Sequence, residues 1–253
     1  MGDHRVELLA PLRAHPGNAS IALDFDGSLS PIVEDPAAAV PADGATDVLI
    51  GLANAYGEVV VVSGRPLSFL SQHLPLEVSV VGLYGLEGVR RGERWEHPNG
   101  GAWREVMADL ASVAESSGPP GMLVELKGLS ITYHYRTAPE IEGRVREFAR
   151  MQADRSGLRV GEAKMSVELH PPIDADKGTV IDTMCAQASS VLFAGDDLGD
   201  LPGFAALDRL SAKGAATVKV AVTSAETPPE LRDRAHLEVA GPDGLLDLLR
   251  LLL

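Results

Sequence analysis

Cysteine is almost missing from this chain of 253 residues, Cys185 being the single one. No internal disulfide and no zinc site built on several thiolates can form. A reducing cytoplasm is therefore the expected location. Basic charge is also scarce: Lys and Arg number 22 against 36 Asp and Glu, a formal net charge of −14. That balance argues against a sequence-independent nucleic-acid binder, which needs a basic footprint. It leaves room for an anionic small molecule, because a local cluster of cations can oppose the global sign. Long apolar runs are absent as well. No stretch approaches the roughly 18 residues of a membrane span, and the terminal LLDLLRLLL is broken by Asp247 and Arg250, which suits a docking helix better. The first residues carry Asp3, His4, Arg5 and Glu7, unlike a secretory leader. Neither a G-x-S-x-G elbow nor a G-x-x-x-x-G-K-[ST] loop occurs, which disfavours a serine hydrolase and a P-loop NTPase.

What is present alternates. Helical patterns at 3–14, 42–55 and from 66 are interleaved with short apolar runs, Ile21-Ala22-Leu23 and Val59–Val62. The last third repeats this grammar: a helix at 176–187, the run Val191–Ala194, a helix near 199–208, a strand at 217–222 and a helix at 242–252. Continuous apolar strands between helices predict a parallel sheet buried on both faces. The middle differs. Residues 122–127, 130–136 and 164–170 alternate strictly between apolar and polar, the mark of strands with one buried face. Met122, Val124 and Leu126 are expected on one face of the first, with Glu125 and Lys127 on the other. Ile131, Tyr133 and Tyr135 are expected to oppose Thr132, His134 and Arg136 in the second. Met165, Val167 and Leu169 oppose Lys164, Ser166, Glu168 and His170 in the third. With helices near 101–115 and 139–154, this makes an α+β unit of residues 101–172 inserted between 1–100 and 173–253.

Four motifs carry chemistry. DFDGSLSPI (24–32) places Asp24 and Asp26 where a buried strand stops, the edge at which open α/β sheets bind ligands. Ser63-Gly64-Arg65 follows the valine run, and Ser63 suits either a phosphate oxygen or a helix cap. Asp176-Lys177-Gly178 opens a helix, where a lysine opposes the macrodipole unless an anion lies near. GDDLGD (195–200) supplies acids after another buried strand, suited to a hard cation or to a helix start. Each alone has an ordinary structural reading. Together they place carboxylates from separate strands at one sheet edge.

This order, Asp-x-Asp, Ser, Lys, Gly-Asp-Asp, resembles the haloacid dehalogenase (HAD) superfamily of phosphatases. The stretches LDFDGSLSPI, VVSGRP, GLYGLEG, VELKGLSITYHYR, VELHPPIDADKG and AGDDLGDLPGF resemble the trehalose-6-phosphate phosphatase family. The resemblance implies an α/β fold, a Rossmann-like parallel-sheet core with an inserted α+β cap of the C2 type. It implies Asp24 as nucleophile and Asp26 as acid and base, with Ser63 and Lys177 on the phosphoryl group. Mg would sit on Asp24, the carbonyl of Asp26 and Asp196, with Asp200 and Asp197 in support. Arg65, Glu87, Glu125, Lys127, Arg136, Lys164 and Glu168 would bind substrate, a small sugar phosphate. The resemblance leaves room for a functional link to a trehalose-phosphate synthase, on which the sequence itself is silent. A cap facing a core must open and close, and hinges are expected near 98–102 and 171–175, where Pro98, Gly100, Gly101, Pro171 and Pro172 cluster. The chain departs from the family pattern at Ser28, where threonine is commoner, at Tyr84, where histidine is frequent, and at Gly199, Leu201 and Pro202. Two other readings follow: a phosphatase of the same class for sucrose phosphate, mannosyl phosphoglycerate or glucosylglycerol phosphate, and an inactive sugar-phosphate-binding paralogue.

Overall fold

Residues 4–33, 35–163 and 165–253 are described by the structure, a computed structural model. In chain order the elements are α1 (His4–Ala14), β1 (Ala19–Leu23), α2 (Ala45–Ala55), β2 (Glu58–Val62), α3 (Leu67–His73), β3 (Ser79–Gly82), β4 (Glu87–Arg90) and β5 (Glu93–Glu96). Next come α4 (Gly101–Ser117), β6 (Leu123–Leu126), β7 (Ile131–His134), α5 (Glu142–Ser156), β8 (Arg159–Ala163) and β9 (Ser166–His170). The chain closes with α6 (Lys177–Met184), β10 (Ser190–Gly195), α7 (Leu201–Ala212), β11 (Ala216–Thr223), α8 (Pro229–Arg234), β12 (Leu237–Ala240) and α9 (Gly241–Arg250). Two compact units result, one formed by the chain up to Trp95 with Ala175–Leu253, the other by Glu96–Asp174.

The first unit is built on a sheet of order β12-β11-β10-β1-β2-β3-β4-β5. From β12 to β3 neighbouring strands run parallel, and β4 joins β3 antiparallel. The apolar runs need cover on both sides, and they have it. Ile21, Leu23, Val59, Val61, Leu192 and Val220 pack with α1, α2, α3 and α9. Ala22, Val60, Val62, Val191 and Phe193 pack on the other side with α6, α7 and α8. Strand β1 lies between β10 and β2, so the chain winds outward from it in two directions. That reversal opens a crevice at the carboxyl ends of β1 and β10.

The second unit is an antiparallel sheet of order β6-β7-β9-β8. One face packs Ile131, Tyr133, Val167 and Leu169 against Met107 and Leu110 of α4 and Val145 and Phe148 of α5. Period-two alternation thus gives the buried face of β7 and β9 correctly. It fails on β6, where Leu126, expected on the buried face, is 47% exposed. Strand β6 lies at the sheet edge, where side chains escape the helices that cover the centre. Thr132, expected on the open face, is buried; its neighbours in register are Glu125 and Glu168, whose longer side chains flank it.

Candidate active site

Asp24 comes directly after β1, and its amide is tied to the carbonyl of Ala194 in β10 at 2.9 Å. The neighbouring strand ends therefore fix where its carboxylate starts. It is 3% exposed. Gly27 follows with φ +80°, a left-handed conformation that favours glycine. Its amide donates to the carbonyl of Ser30 at 2.7 Å, and the amides of Leu29 and Ser30 close onto Phe25 at 2.9 and 2.8 Å. A Cβ on Gly27 would lie 2.0 Å from a carboxylate oxygen of Asp196, so the glycine leaves the space in which Asp196 sits. Gly27→Ala is expected to displace Asp196. The affinity of this acidic set for a divalent cation should then fall about tenfold or more, read by calorimetric titration with Mg²⁺; an unchanged titration would contradict this packing.

Lys177 is the first residue of α6, whose N-cap Asp176 forms a capping box with Thr179. Its ammonium donates at 2.6 Å to Asp24 and at 2.6 Å to Asp200. The conflict between a lysine and a helix N-terminus is met here by two carboxylates. Asp200 has no exposed surface. Its second oxygen accepts the amides of Asp196 at 2.9 Å and Asp197 at 3.1 Å, so it shapes the loop after β10 and pins Lys177 at once. A Cβ on Gly195 would lie 2.1 Å from the Asp200 carboxyl carbon, which explains the glycine at the end of that strand.

Asp24, Asp196 and Asp200 each offer an oxygen, all within 4.8 Å of one another. Crowding three acids has a cost. Burial pushes the carboxyl of Asp24 well up, and Asp200 and Asp196 push the same way against the pull of Lys177. Burial, then Asp200 and Asp197, push Asp196 up to about 7. Burial, then Asp200, also raises Asp197. The ammonium of Lys177 is held well above its ordinary range, because Asp200 and Asp24 outweigh the effect of burial. Three carboxylate oxygens gathered this closely around one lysine leave negative charge that a divalent cation would offset, and hard oxygen donors of this kind suit one. The residues present therefore fit a divalent metal.

Ser63 follows β2, is buried, and its hydroxyl accepts the amide of Arg65 at 3.1 Å. The Arg65 guanidinium reaches both carboxylate oxygens of Asp26, Nε at 2.9 Å and Nη2 at 2.7 Å. This turn is braced by GLYGLEG. The amides of Leu83 and Tyr84 donate to the carbonyls of Arg65 and Ser63, both at 3.0 Å. Leu83 and Tyr84 both take positive φ, 48° and 57°, a strain of order 1–3 kcal/mol each that these bonds oppose. The Tyr84 ring covers Gly64, where a Cβ would come within 2.5 Å of it. The carboxylate of Glu87 accepts the amide of Leu67 at 2.7 Å, capping α3. Tyr84 and Glu87 thus hold the Ser63–Arg65 turn in place, a role the sequence alone does not reveal.

On the second unit's polar face, Lys127 lies 3.6 Å from Glu168 and 3.9 Å from Glu125. Ser130 donates to Glu168 at 2.7 Å, and His134 pairs with Glu125 at 2.8 Å. Strand pairing places Glu125, Thr132 and Glu168 in one row, and with Lys127 beside both glutamates this brings three of the expected substrate residues together. Ser130 and His134 were not among them; their even spacing from Thr132 is the signal that places them on the same face. Arg136 follows β7 and is exposed. Lys164 lies outside the described residues.

A family model described as trehalose-phosphatase matches residues 22–236. The trehalose-phosphate phosphatase of Mycobacterium ulcerans (strain Agy99) is 35% identical over 201 residues, covering 74% of this chain and 51% of its own length. The chain thus spans about half the length of the curated relatives it matches. The C-terminal domain of C. albicans trehalose-6-phosphate phosphatase superposes with a TM-score of 0.76 at 23% identity, covering 98% of this chain and 96% of that one. A trehalose-6-phosphate phosphatase related protein gives 0.74 at 24% identity, covering 91% and 95%. At these identities the superpositions establish the fold, the α/β architecture expected from the motifs. No helix among the described residues is long and apolar enough to cross a membrane.

Proposed function

This chain belongs to the trehalose-phosphatase family, and from that membership we propose that it hydrolyses trehalose 6-phosphate to trehalose and phosphate. The observation that carries the reading is the buried contact of Lys177 with Asp24 and Asp200 at the carboxyl ends of β1 and β10. A nucleophilic carboxylate, a fixed cation and a cation-binding set of acids share one crevice.

An oxygen of Asp24 attacks phosphorus, the bond from phosphorus to the sugar oxygen breaks, and Asp26 gives that oxygen its proton. Water then attacks the aspartyl-phosphate, Asp26 takes its proton, and the bond to Asp24 breaks to release inorganic phosphate. Asp24, Asp196 and the main-chain carbonyl of Asp26 would hold Mg²⁺, supported by Asp200. Bound there, the ion offsets the negative charge of nucleophile and phosphoryl group. Lys177 keeps Asp24 oriented and adds positive charge where the phosphoryl oxygens gather. Ser63, with its hydroxyl at the end of β2, is the further donor to those oxygens.

The polar face of the second unit would choose the sugar, its carboxylates accepting from hydroxyls and its lysine donating. Glu168→Gln and Lys127→Met are expected to raise KM for trehalose 6-phosphate about 10–100-fold, the worth of one charge-assisted hydrogen bond. Turnover of 4-nitrophenyl phosphate, which has no sugar, should change little. Equal losses on both substrates would contradict the assignment.

A further inference from the structure

Arg65 has none of the geometry of an arginine waiting for a phosphate. All three of its guanidinium nitrogens are engaged within the first unit. Nε and Nη2 take the two oxygens of Asp26, while Nη1 donates to the carbonyl of Pro36 at 2.5 Å. The guanidinium plane lies over the ring of Phe69, 4.3 Å from its centroid. Phe69 in turn meets Phe25 edge to face at 6.0 Å, and Phe25 is the residue between Asp24 and Asp26. The backbone of Arg65 is held from the other side by the Leu83 amide. A fork-to-fork pair fixes the plane of a carboxyl group as well as its position.

We propose that Arg65 is a positioning residue that acts through Asp26, orienting the carboxyl group that exchanges a proton with the leaving oxygen and with water, and is not a ligand of the substrate phosphate. The inference rests on the phosphatase reading above. It has a distinctive consequence. A sugar alkoxide needs a proton as it leaves, whereas nitrophenolate does not, so a residue working through Asp26 matters for the first step with one ester and not with the other.

The test compares wild type, Arg65→Ala, Arg65→Lys, Asp26→Asn and the double variant Asp26→Asn/Arg65→Ala, with Mg²⁺ present. On trehalose 6-phosphate, Arg65→Ala should lose about 10–100-fold in kcat with KM changed less than about threefold. The pre-steady-state burst of nitrophenolate from 4-nitrophenyl phosphate should change less than about threefold. In the Asp26→Asn background the second substitution should cost less than about twofold, since the two residues act as one unit. Arg65→Lys keeps the charge and loses the fork, so it should recover only part of kcat; it carries the same test if Arg65→Ala does not fold. A rise in KM on both esters would make Arg65 a substrate ligand and overturn the proposal, as would additive losses in the double variant. A wild type with no activity on the sugar phosphate would instead overturn the phosphatase reading for that substrate, and the nitrophenyl arm would still separate the two roles of Arg65.

Discussion

Asp24→Asn is expected to reduce phosphate release by about 10⁴-fold or more, because an amide oxygen does not form the aspartyl-phosphate. The loss should occur without unfolding. Asparagine keeps an oxygen that accepts from Lys177, so the 2.6 Å contact has a replacement. It also removes one negative charge from a crowded set. Burial and the neighbouring acids raise the carboxyls of Asp24 and Asp196 in the folded chain, the latter to about 7, whereas the unfolded chain releases its protons in the ordinary carboxylate range. Between those limits the folded state binds more protons, so stability of the metal-free wild type falls as pH rises. Asp24→Asn should flatten that slope, and Mg²⁺ should oppose it in the wild type. Thermal melting from about pH 5 to about pH 8, with chelator and with Mg²⁺, checks the sign. A metal-free wild type that gains stability from this cluster as pH rises would contradict the crowding.

Lys177→Met is the second large effect, and here activity and stability fall together. The side chain is buried between two carboxylates, Asp24 3% and Asp200 0% exposed. Removing one partner from such a buried set costs about 3–5 kcal/mol, because the remaining charges lie in a poor solvent without compensation. The ammonium is held charged above its ordinary range, so its contribution is present throughout neutral pH. Once it is gone the acids can relax only by taking up protons. The deficit should therefore be greater near pH 8 than near pH 5, and part of it should return with divalent cation. Urea denaturation at both pH values measures it. A variant as stable as wild type at pH 8 without cation would mean that Lys177 is not the group balancing these acids.

Much of this architecture is legible in the sequence because the first unit's strands are buried on both faces. Ile21-Ala22-Leu23, Val59–Val62 and Val191–Ala194 are continuous apolar runs for that reason, and the acids that follow them mark the sheet edge. Tyr133 and Leu169 likewise announce their buried face by alternation. Strand β8, RVGEA, gives no such signal, since an edge strand with a glycine and three charged or small residues has little to alternate. Leu126 breaks the pattern for the same positional reason. The links within the site are the least legible part. Asp26 and Arg65 are 39 residues apart, and Lys177 is 153 residues from Asp24. Each motif names its residue types; only the packing of β1 beside β10 and β2 decides which carboxylate meets which cation. Glu87 illustrates the limit, since a glutamate that caps α3 from β4 reads in sequence like any loop acid.

The most direct measurement is phosphate release with Mg²⁺ from trehalose 6-phosphate, beside sucrose 6-phosphate, glucose 6-phosphate and an aryl phosphate, with Asp24→Asn as control. The account predicts a strong preference for trehalose 6-phosphate that disappears in the variant. Equal turnover of all esters, or turnover that survives Asp24→Asn, would contradict it.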